Sequence, residues 1–397
     1  MLTADRTPDI GSGRAFNTLC PTQIDLPVIG VLAALPPPVN GLHLATQLVV
    51  HFLQSKSPVL LHDWSPGPGY SGLWWRVMKG FRAFASVWKL CIWRFQNCRT
   101  LYTVANGNGG LFYNVLTIAV ARILGYRCIL HHHTYIYLAR PDVRIRFICR
   151  LMGRSDLHVV LAEEMAARFR EVYGDRTPFF VLPNNYILKT MQRSGNTPVR
   201  NSGASFRLGH LGNLTFAKGL QHVIRTFEQL LSQNHDVTLT LAGPLMGSGE
   251  EQLVKDLLSQ HPSRVWWLGP VSGRGKEQFF ESIDVLLFPS EMNEAQPLVI
   301  LEAMLFGKPT LAWGRGAIGS MISITTGRVF PIETDFAPAA AEVVRDWVRH
   351  PEHYEQIEHA VLQHGATLHT VADQQLISFH QELTGASDPL TPDGPGD

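Results

Sequence analysis

Short apolar segments alternate with longer amphipathic ones along most of the chain. Segments typical of buried strands cover, in the first half, 28–35, 58–62, 100–104, 127–133, 157–162 and 179–183. A second series covers 206–212, 237–243, 264–269, 284–289 and 308–313. Helical patterns such as LQHVIRTFEQLLSQ (220–233) lie between them. Strands that alternate with helices are typical of βαβ units, so the pattern predicts an α/β protein with parallel sheets.

The two series of strands predict two Rossmann-like, doubly wound domains that face a central cleft. Open α/β sheets bind ligands at the carboxyl ends of their strands, so we expect the site in that cleft. The polar segment 191–204 carries Gly, Pro and Ser without apolar periodicity and predicts a linker. The predicted units are a disordered N-terminus (1–25), a first domain (26–190), this linker, a second domain (205–370), a C-terminal helix (371–384) and a disordered tail (385–397).

Composition narrows the class of protein. A length of 397 residues suits two domains, and a formal net charge of +1 argues against nucleic acid as a partner. Five cysteines without a CxxC pair favour neither a disulfide framework nor a zinc site, and they indicate a cytoplasmic location. We find no secretory signal and no apolar run of membrane-spanning length. The protein is therefore expected to be soluble, or peripheral at the inner face of a membrane.

The segment PSEMNEAQPLVILEAMLFGKPTLAW (289–313) holds two glutamates, Glu294 and Glu302, on either side of Pro297. Proline suits the start of a helix and Gly307 suits its end, which places Glu294 in the preceding loop and Glu302 on the second turn. The free N–H groups of the first turn offer an anion site between two carboxylates. An anion site suits phosphate, and carboxylates suit hydroxyls. A ligand that carries phosphate and several hydroxyls is a nucleotide sugar. The alternative is a loop acid near a helix start and a solvated helix residue.

This arrangement resembles the E-x7-E motif of retaining GT-B glycosyltransferases of the family 4 type. HLGNLTFAKGLQHVIRTF (210–227) looks like the family's G-R-L-x-x-x-K-G segment, and TLAGP (240–244) and VWWLGPV (265–271) look like its next two strand ends. PPPVNGLHLATQLVVHFL (36–53) resembles its glycine-rich first loop. The resemblance covers roughly residues 28–380 and is strongest across 206–325. It implies a GT-B fold and sugar transfer from a nucleotide donor to a hydroxyl.

The resemblance also implies roles for individual residues. Glu302 would hold the ribose hydroxyls, Glu294 would contact the donor sugar, and Lys218 would neutralise the diphosphate. Backbone groups around Gly269–Val271 would meet the nucleobase. The remaining expected donor-binding residues are Gly41, Gly212, Asn213, Pro270, Ala295, Gln296, Leu298, Val299 and Arg315. No Asp-x-Asp pair occurs in the chain, so neither a metal nor another cofactor is expected.

Two positions depart from the family pattern. Asn213 stands where an arginine is usual, which removes a bidentate phosphate donor, and Arg315 is a candidate to compensate. Ser320 replaces an acid in the segment GAIGS (316–320). Both departures leave open a binding or scaffold subunit that has lost turnover.

Three histidines, HHH at 131–133, end a predicted strand. The family carries a donor-site histidine at this strand end, and His133 matches it best; His131 and His132 are weaker candidates. A neutral imidazole can donate a hydrogen bond to a sugar hydroxyl or to a developing oxyanion. A buried structural histidine is the alternative for each. We find no convincing protein nucleophile, so the expected retaining route has none.

The segment SGLWWRVMKGFRAFASVWKLCIWRFQNCR (71–99) is basic, aromatic and free of acids. At helical spacing its large apolar residues share one face, and its cations lie mostly on the other. The cations expected to meet a membrane or an acceptor are Arg76, Lys79, Arg82, Lys89 and Arg94. One interpretation is a crossover helix that buries its apolar face on the sheet. The other is a helix on an anionic membrane, or a basic groove for an anionic, lipid-linked acceptor.

The sequence therefore predicts a retaining, metal-independent hexosyltransferase with a nucleotide sugar as donor and a lipid-linked or surface glycan as acceptor. Two alternatives remain from other classes of function. One is a non-catalytic GT-B subunit that binds a nucleotide sugar, and the other is a sugar-nucleotide epimerase, which would need no acceptor.

Overall fold

The computed structural model describes residues 27–37, 41–65, 72–193 and 204–385, without the side chains of Trp75 and Arg76. The predicted disordered N-terminus, the predicted disordered tail beyond Gly385 and most of the predicted linker lie outside the described residues. The strands are β1 (Ile29–Ala33), β2 (Val59–Asp63), β3 (Thr100–Ala105), β4 (Arg127–His132), β5 (Leu157–Val160), β6 (Phe179–Val181), β7 (Phe206–Leu211), β8 (Val237–Ala242), β9 (Val265–Trp267), β10 (Val285–Phe288), β11 (Thr310–Trp313) and β12 (Gly327–Phe330).

The helices alternate with these strands, as the sequence pattern predicts. They are α1 (Gly41–Lys56), α2 (Gly72–Phe95), α3 (Leu111–Ile123), α4 (Ile136–Ala139), α5 (Val143–Leu151), α6 (Glu163–Tyr173), α7 (Leu220–Ser232), α8 (Ser248–Gln260), α9 (Arg274–Ser282), α10 (Leu298–Leu305), α11 (Ile318–Met321), α12 (Phe336–Arg349) and α13 (Pro351–Thr384). Short 3-10 turns cover Asn108–Gly110, Asn184–Thr190 and Phe216–Lys218.

Two parallel six-stranded sheets organise the molecule. Their strand orders are β2-β1-β3-β4-β5-β6 and β12-β11-β10-β7-β8-β9. In the second sheet the chain runs outward from β7 through β8 to β9 and then returns to place β10 on the other side of β7. This reversal is the topological switch point at which open α/β sheets bind ligands. The prediction of two Rossmann-like domains is confirmed.

Apolar side chains cover both faces of each sheet. In the first sheet, α1 and the end of α13 pack on one face, whereas α2, α3, α5 and α6 pack on the other. In the second sheet, α7, α8 and α12 cover one face and α9 and α10 the other. Strands buried on both sides explain the continuous apolar runs in the sequence.

The predicted helix boundary at 370/371 is wrong. Residues 351–384 form one helix of 34 residues, α13. It starts at Pro351, contains no later proline and ends at Gly385, so nothing in its sequence breaks it. Its first part packs on α10, and its last part reaches the first domain, where Arg127 donates to the Glu382 carboxylate at 2.8 Å. The helix therefore ties the two domains together.

Candidate functional site

Lys218 and Glu294 meet at the switch point of the second sheet. Lys218 ends the 3-10 turn after β7, and Glu294 lies in the loop after β10, so neighbouring strands carry the two residues to one edge. The Lys218 ammonium donates to Glu294 Oε1, and the Ser290 hydroxyl donates to the same oxygen at 2.8 Å. Both charged side chains remain partly exposed. A cation and a carboxylate are thus available to a ligand at this edge.

Glu302 lies on the second turn of α10, as predicted, and its side chain is 2% exposed. Its Oε1 accepts from Lys276 Nζ at 2.6 Å, whereas its Oε2 is buried and has no hydrogen-bond partner among the described residues. A buried carboxylate oxygen without a donor is costly, and a ligand hydroxyl would satisfy it. The alternative of a solvated helix residue is wrong for Glu302.

The start of α10 faces the first domain. Pro297 is its N-cap residue, and the N–H groups of Leu298 and Val299 have no backbone acceptor among the described residues. Gly41, at the start of α1, lies opposite, because a Cβ atom there would come within 3.1 Å of the Leu298 side chain. Residues predicted from separate loops of the two domains therefore meet beside a free helix N-terminus, which is a ready site for an anion.

Two residues predicted to bind the donor also join the domains, and their contact with the donor stays a prediction. Gln296 Oε1 accepts a hydrogen bond from the Asn184 backbone N–H at 2.6 Å. Ala295 is buried and packs with apolar residues of the first domain. The Gln296 side chain is therefore committed to the domain interface.

Glycines hold the loops after β7, β8 and β9 together. Gly243 has φ +126°, and a Cβ atom there would lie 1.8 Å from the Gly212 carbonyl oxygen. Its N–H donates to the Gly269 carbonyl at 2.7 Å. Pro270 and Val271 follow Gly269 directly, and Asn213 follows Gly212 as an exposed residue. These predicted donor-binding residues consequently share one edge of the sheet with Lys218.

Arg315 lies next to this group. Its neighbour Gly316 pairs with Glu294 in an isolated β-bridge, and a Cβ atom at Gly316 would lie 2.1 Å from the Glu294 carbonyl oxygen. The Arg315 guanidinium lies 5.8 Å from the Trp313 ring centroid, and its buried Nε has no partner among the described residues. Compensation for Asn213 by Arg315 stays a prediction. The Ser320 hydroxyl donates to the Ala317 carbonyl at 2.9 Å.

The three histidines at the end of β4, of which His133 directly follows the strand, fall into two environments. His132 is buried in a network, with contacts to the Tyr137 hydroxyl at 2.7 Å and to His158 at 3.0 Å, so the structural alternative holds for it. His131 and His133 lie on the opposite face with their rings 3.9 Å apart, and the Nε2 atom of each is buried and unpartnered among the described residues. Burial lowers the pKa of His133 to about 3, so its ring is neutral near neutral pH.

The apolar face of α2 is exposed. Trp74, Trp88 and Phe95 are 69%, 72% and 93% exposed, and the helix buries a narrower face that includes Ala83 and Leu90. The other exposed apolar residues of α2 are Leu73, Val77, Phe81, Phe84 and Ile92. The interpretation that this stripe is buried on the sheet is wrong.

The predicted cations of α2 differ in their surroundings. Arg82 donates to the Ser65 carbonyl at 2.7 Å, and Arg94 donates to the Leu124 carbonyl at 2.8 Å. Burial lowers the pKa of Lys79. Lys89 is exposed, and the Arg76 side chain lies outside the described residues. Much of the positive charge of α2 is therefore engaged within the protein.

Two site residues were missed by the sequence analysis. Ser290 directly follows β10 and could have been suspected from its place at the strand end. Lys276 lies on α9, 26 residues before Glu302, and no spacing rule relates the two. Within the described ranges, no three His, Cys, Asp or Glu residues form a group that could hold a metal ion. In the same ranges, no helix combines the length and the apolar character needed to cross a bilayer.

Residues 205–346 match the family described as Glycosyl transferases group 1. An uncharacterized glycosyltransferase of Methanocaldococcus jannaschii is 32% identical over 143 residues, which are 34% of this chain and 35% of the relative. The lipopolysaccharide 1,2-N-acetylglucosaminetransferase of Salmonella typhimurium is 22% identical over 206 residues, 49% of this chain and 51% of the relative. The matched segment thus spans about a third of the length of the first curated relative and about half of the length of the second.

The crystal structure of Anabaena HepE in complex with UDP superposes with a TM-score of 0.65 at 17% identity and covers 89% of this chain and 99% of HepE. At 17% identity, this similarity shows a shared fold. The chain has the GT-B fold of glycosyltransferases, and its second domain carries the match to group 1 of the glycosyl transferases.

Proposed function

We propose that this protein transfers a sugar from a nucleotide-sugar donor to a hydroxyl acceptor with retention at the anomeric carbon. The observation that carries this proposal is the arrangement at the edge of the second sheet. There, the Lys218–Glu294 pair, the buried Glu302 with an unpaired oxygen and the free N-terminus of α10 lie together. A nucleoside diphosphate sugar presents two phosphates, a ribose and a sugar. A cation with a helix N-terminus suits the phosphates, and carboxylates suit the hydroxyls of the ribose and the sugar. The match to glycosyl transferases and the UDP bound to HepE support the same class of donor.

The charges of the site suit a diphosphate leaving group. Negative charge on the diphosphate grows as its bond to the sugar breaks, and fixed cations and N–H groups stabilise that charge. Lys218 would provide the cation, and the N–H groups of Leu298 and Val299 would provide the helix start. When the diphosphate takes Lys218 as its partner, Glu294 becomes free to accept hydrogen bonds from hydroxyls of the donor sugar. This division of roles needs no metal ion.

Glu302 and Lys276 would hold the ribose. Lys276 occupies one oxygen of the carboxylate, which leaves Oε2 for a ribose hydroxyl. Lys276 thereby fixes the carboxylate in one orientation before the nucleotide binds. Such preorganisation reduces the ordering that binding requires.

His133 would act as a neutral hydrogen-bonding group. Its low pKa excludes an imidazolium at neutral pH, so it can donate one N–H to a hydroxyl or to the developing oxyanion. Retention of configuration without a protein nucleophile follows the front-face route that the family resemblance implies. Contacts such as that between Gln296 and Asn184 close the cleft and would limit hydrolysis of the donor.

The acceptor would be a lipid-linked or surface glycan, reached at an anionic membrane surface. The exposed stripe of α2 supports this part of the proposal, because contiguous apolar surface beside cations is typical of helices that lie in a membrane interface.

The test is transfer from radiolabelled UDP-sugars to a bacterial membrane extract, with the anomeric configuration of the product determined by NMR. The wild-type protein should label the extract with retention. Glu294→Gln should lower transfer at least a hundredfold while UDP still binds, because the neutral amide cannot reproduce the charge beside Lys218.

A matched control lies in the same loop. Glu291 is exposed and pairs with His222 at 2.9 Å, so Glu291→Gln should leave transfer unchanged. UDP binding without transfer by the wild-type protein would instead favour a scaffold subunit. Equal transfer by Glu294→Gln and wild type would contradict the role of Glu294.

A further inference from the structure

A groove crosses one face of the second sheet near its β9 edge. Its volume is about 740 Å³, within the range typical of small-molecule sites. Residues of β8 form its floor, and α9 and Trp266 of β9 form its sides. The helix α9 packs closely on β7, where a Cβ atom at Gly209 would come within 2.6 Å of Ile283 and 3.0 Å of Phe279. It therefore covers the middle of the sheet and leaves the face toward β9 open. We call this space the sheet groove.

The two faces of β8 differ in their chemistry. The face toward α7 and α8 is apolar and buried, and it carries Val237, Leu239 and Leu241. Thr238 and Thr240 alternate with these residues, so they point to the other face and line the sheet groove. The register of the sheet places Thr240 directly beside Trp266, whose side chain is 44% exposed. The hydroxyls of both threonines have no hydrogen-bond partner among the described residues. An aromatic ring and two available hydroxyls therefore share one surface.

The lining of the sheet groove offers no charge to a ligand. Arg207 is the one charged side chain among the described residues that line it, and its guanidinium donates to the Asp284 carboxylate at 2.6 and 3.1 Å. The other polar side chains of the lining are neutral, namely Ser205, Thr238, Thr240, Gln278 and Ser282. An alkyl chain would cover the threonine hydroxyls without giving them partners, which is unfavourable. The groove therefore suits a neutral ligand that combines apolar faces with hydroxyls.

We propose that the sheet groove binds a neutral oligosaccharide, at a site separate from the donor site. A pyranose ring has an apolar face of C–H groups, which stacks on the electron-rich face of the Trp266 indole. The hydroxyls at the edge of the same ring exchange hydrogen bonds with Thr240 and with the Gln278 amide. The part of α9 that lines the groove, from Gly275 to Ser282, is about 10 Å long, which accommodates a disaccharide.

The sheet groove and the donor site are neighbours. One end of the groove reaches Val271 and Gly275, and Val271 belongs to the loop expected to meet the nucleobase. Lys276, the residue after Gly275, pairs with Glu302 at 2.6 Å, so α9 contributes side chains to both sites. A glycan held in the groove would be anchored away from its reacting hydroxyl. This anchoring role rests on the proposed function, whereas binding of a sugar in the groove does not.

The test is saturation-transfer NMR of the full chain with maltose, cellobiose, lactose and N,N′-diacetylchitobiose, in the absence of UDP. At least one disaccharide should bind the wild-type protein. Trp266→Ala should weaken that binding roughly tenfold, because the stacking surface is lost. Thr240→Val keeps the shape of the side chain, removes its hydroxyl and should weaken binding roughly fivefold. The matched control is Trp88→Ala, which removes an exposed tryptophan of the first domain and should bind like wild type.

Three results would overturn the proposal. One is the absence of binding by all four disaccharides, or equal affinity in wild type and Trp266→Ala. The second is tighter binding by Thr240→Val, which would show that the groove prefers apolar contacts to hydroxyls. The third is displacement of the disaccharide by UDP, which would place the sugar in the cleft. The UDP-induced rise in Tm should persist in Trp266→Ala and Thr240→Val, so a failure of the sheet groove is distinguishable from a failure of the proposed transfer.

Discussion

The ion pair between Lys276 and Glu302 yields a prediction for both stability and binding. Lys276→Met keeps most of the side-chain volume but leaves Glu302 buried without its cation, at 2% exposure and with Oε2 already unpaired. Removing one partner of a fully buried pair costs about 3–5 kcal/mol. Lys276 is itself 25% exposed, so we expect the lower cost of about 2–3 kcal/mol in the free energy of unfolding.

Thermal unfolding measures this change. For a domain of this size, 1 kcal/mol corresponds to roughly 2–4 °C, so Lys276→Met should lower Tm by roughly 4–12 °C. The double variant Lys276→Met/Glu302→Gln carries no buried charge at this position and should recover to within about 1 kcal/mol of wild type. It should nevertheless lose the UDP-induced rise in Tm, because the carboxylate expected to hold the ribose is gone.

A second buried pair provides the control. Lys308 is 2% exposed and pairs with Glu358 of α13 at 3.0 Å, away from the cleft. Lys308→Met should lower Tm and leave the UDP-induced rise intact. A Tm for Lys276→Met within about 1 °C of wild type would refute the reasoning, since a buried carboxylate that loses its cation should destabilise the fold.

Three further predictions concern the scaffold around the site. Gly243→Ala should destabilise the second domain by more than about 3 kcal/mol in urea denaturation, because its Cβ would lie 1.8 Å from a carbonyl oxygen at a φ of +126°. Gly109→Ala is the control, because the space around Gly109 is open, and it should be tolerated. An equal loss of stability in both variants would contradict the steric argument for Gly243. Burial lowers the pKa of His158 to about 3, so the unfolded chain takes up a proton there below about pH 6.5 while the folded chain stays neutral. The contribution of His158 should therefore lower the free energy of unfolding by about 2 kcal/mol between pH 7 and pH 5. A urea midpoint independent of pH over that range would exclude this effect. Gln296→Ala removes the hydrogen bond to the Asn184 N–H, so small-angle scattering should show a larger radius of gyration in the absence of UDP, whereas an unchanged radius would show that this contact does not hold the cleft closed.

Much of the fold follows from local patterns. Eleven of the twelve strands lie within or directly beside the predicted apolar runs, because strands buried on both faces have a continuous apolar signal. The strand β12 was missed: its four residues, GRVF, include an exposed arginine at a sheet edge and carry no such signal. The positions of Pro297 and Gly307 likewise predicted the limits of α10 to within two residues.

Contacts between distant segments were harder to predict. The pairing of Lys276 with Glu302, the commitment of Gln296 to Asn184 and the exposure of the α2 stripe all depend on how separate elements are placed in space. Periodicity showed that α2 has an apolar face, but it could not show whether that face meets a sheet or solvent. The helix packs on the domain through a narrower face, on which Ala83, Leu90 and Trp93 are buried.

The central claim is a nucleotide-sugar site at the edge of the second sheet, and nucleotide binding by wild type and Glu302→Ala tests it most directly. UDP-, GDP- and ADP-sugars are added to both proteins, with and without EDTA, and Tm is measured. A ligand at about 100 times its Kd adds about 2.7 kcal/mol of stability. The account predicts that one nucleotide raises the Tm of wild type, with or without EDTA, and not that of Glu302→Ala. No rise with any nucleotide, or an equal rise in both proteins, would contradict it.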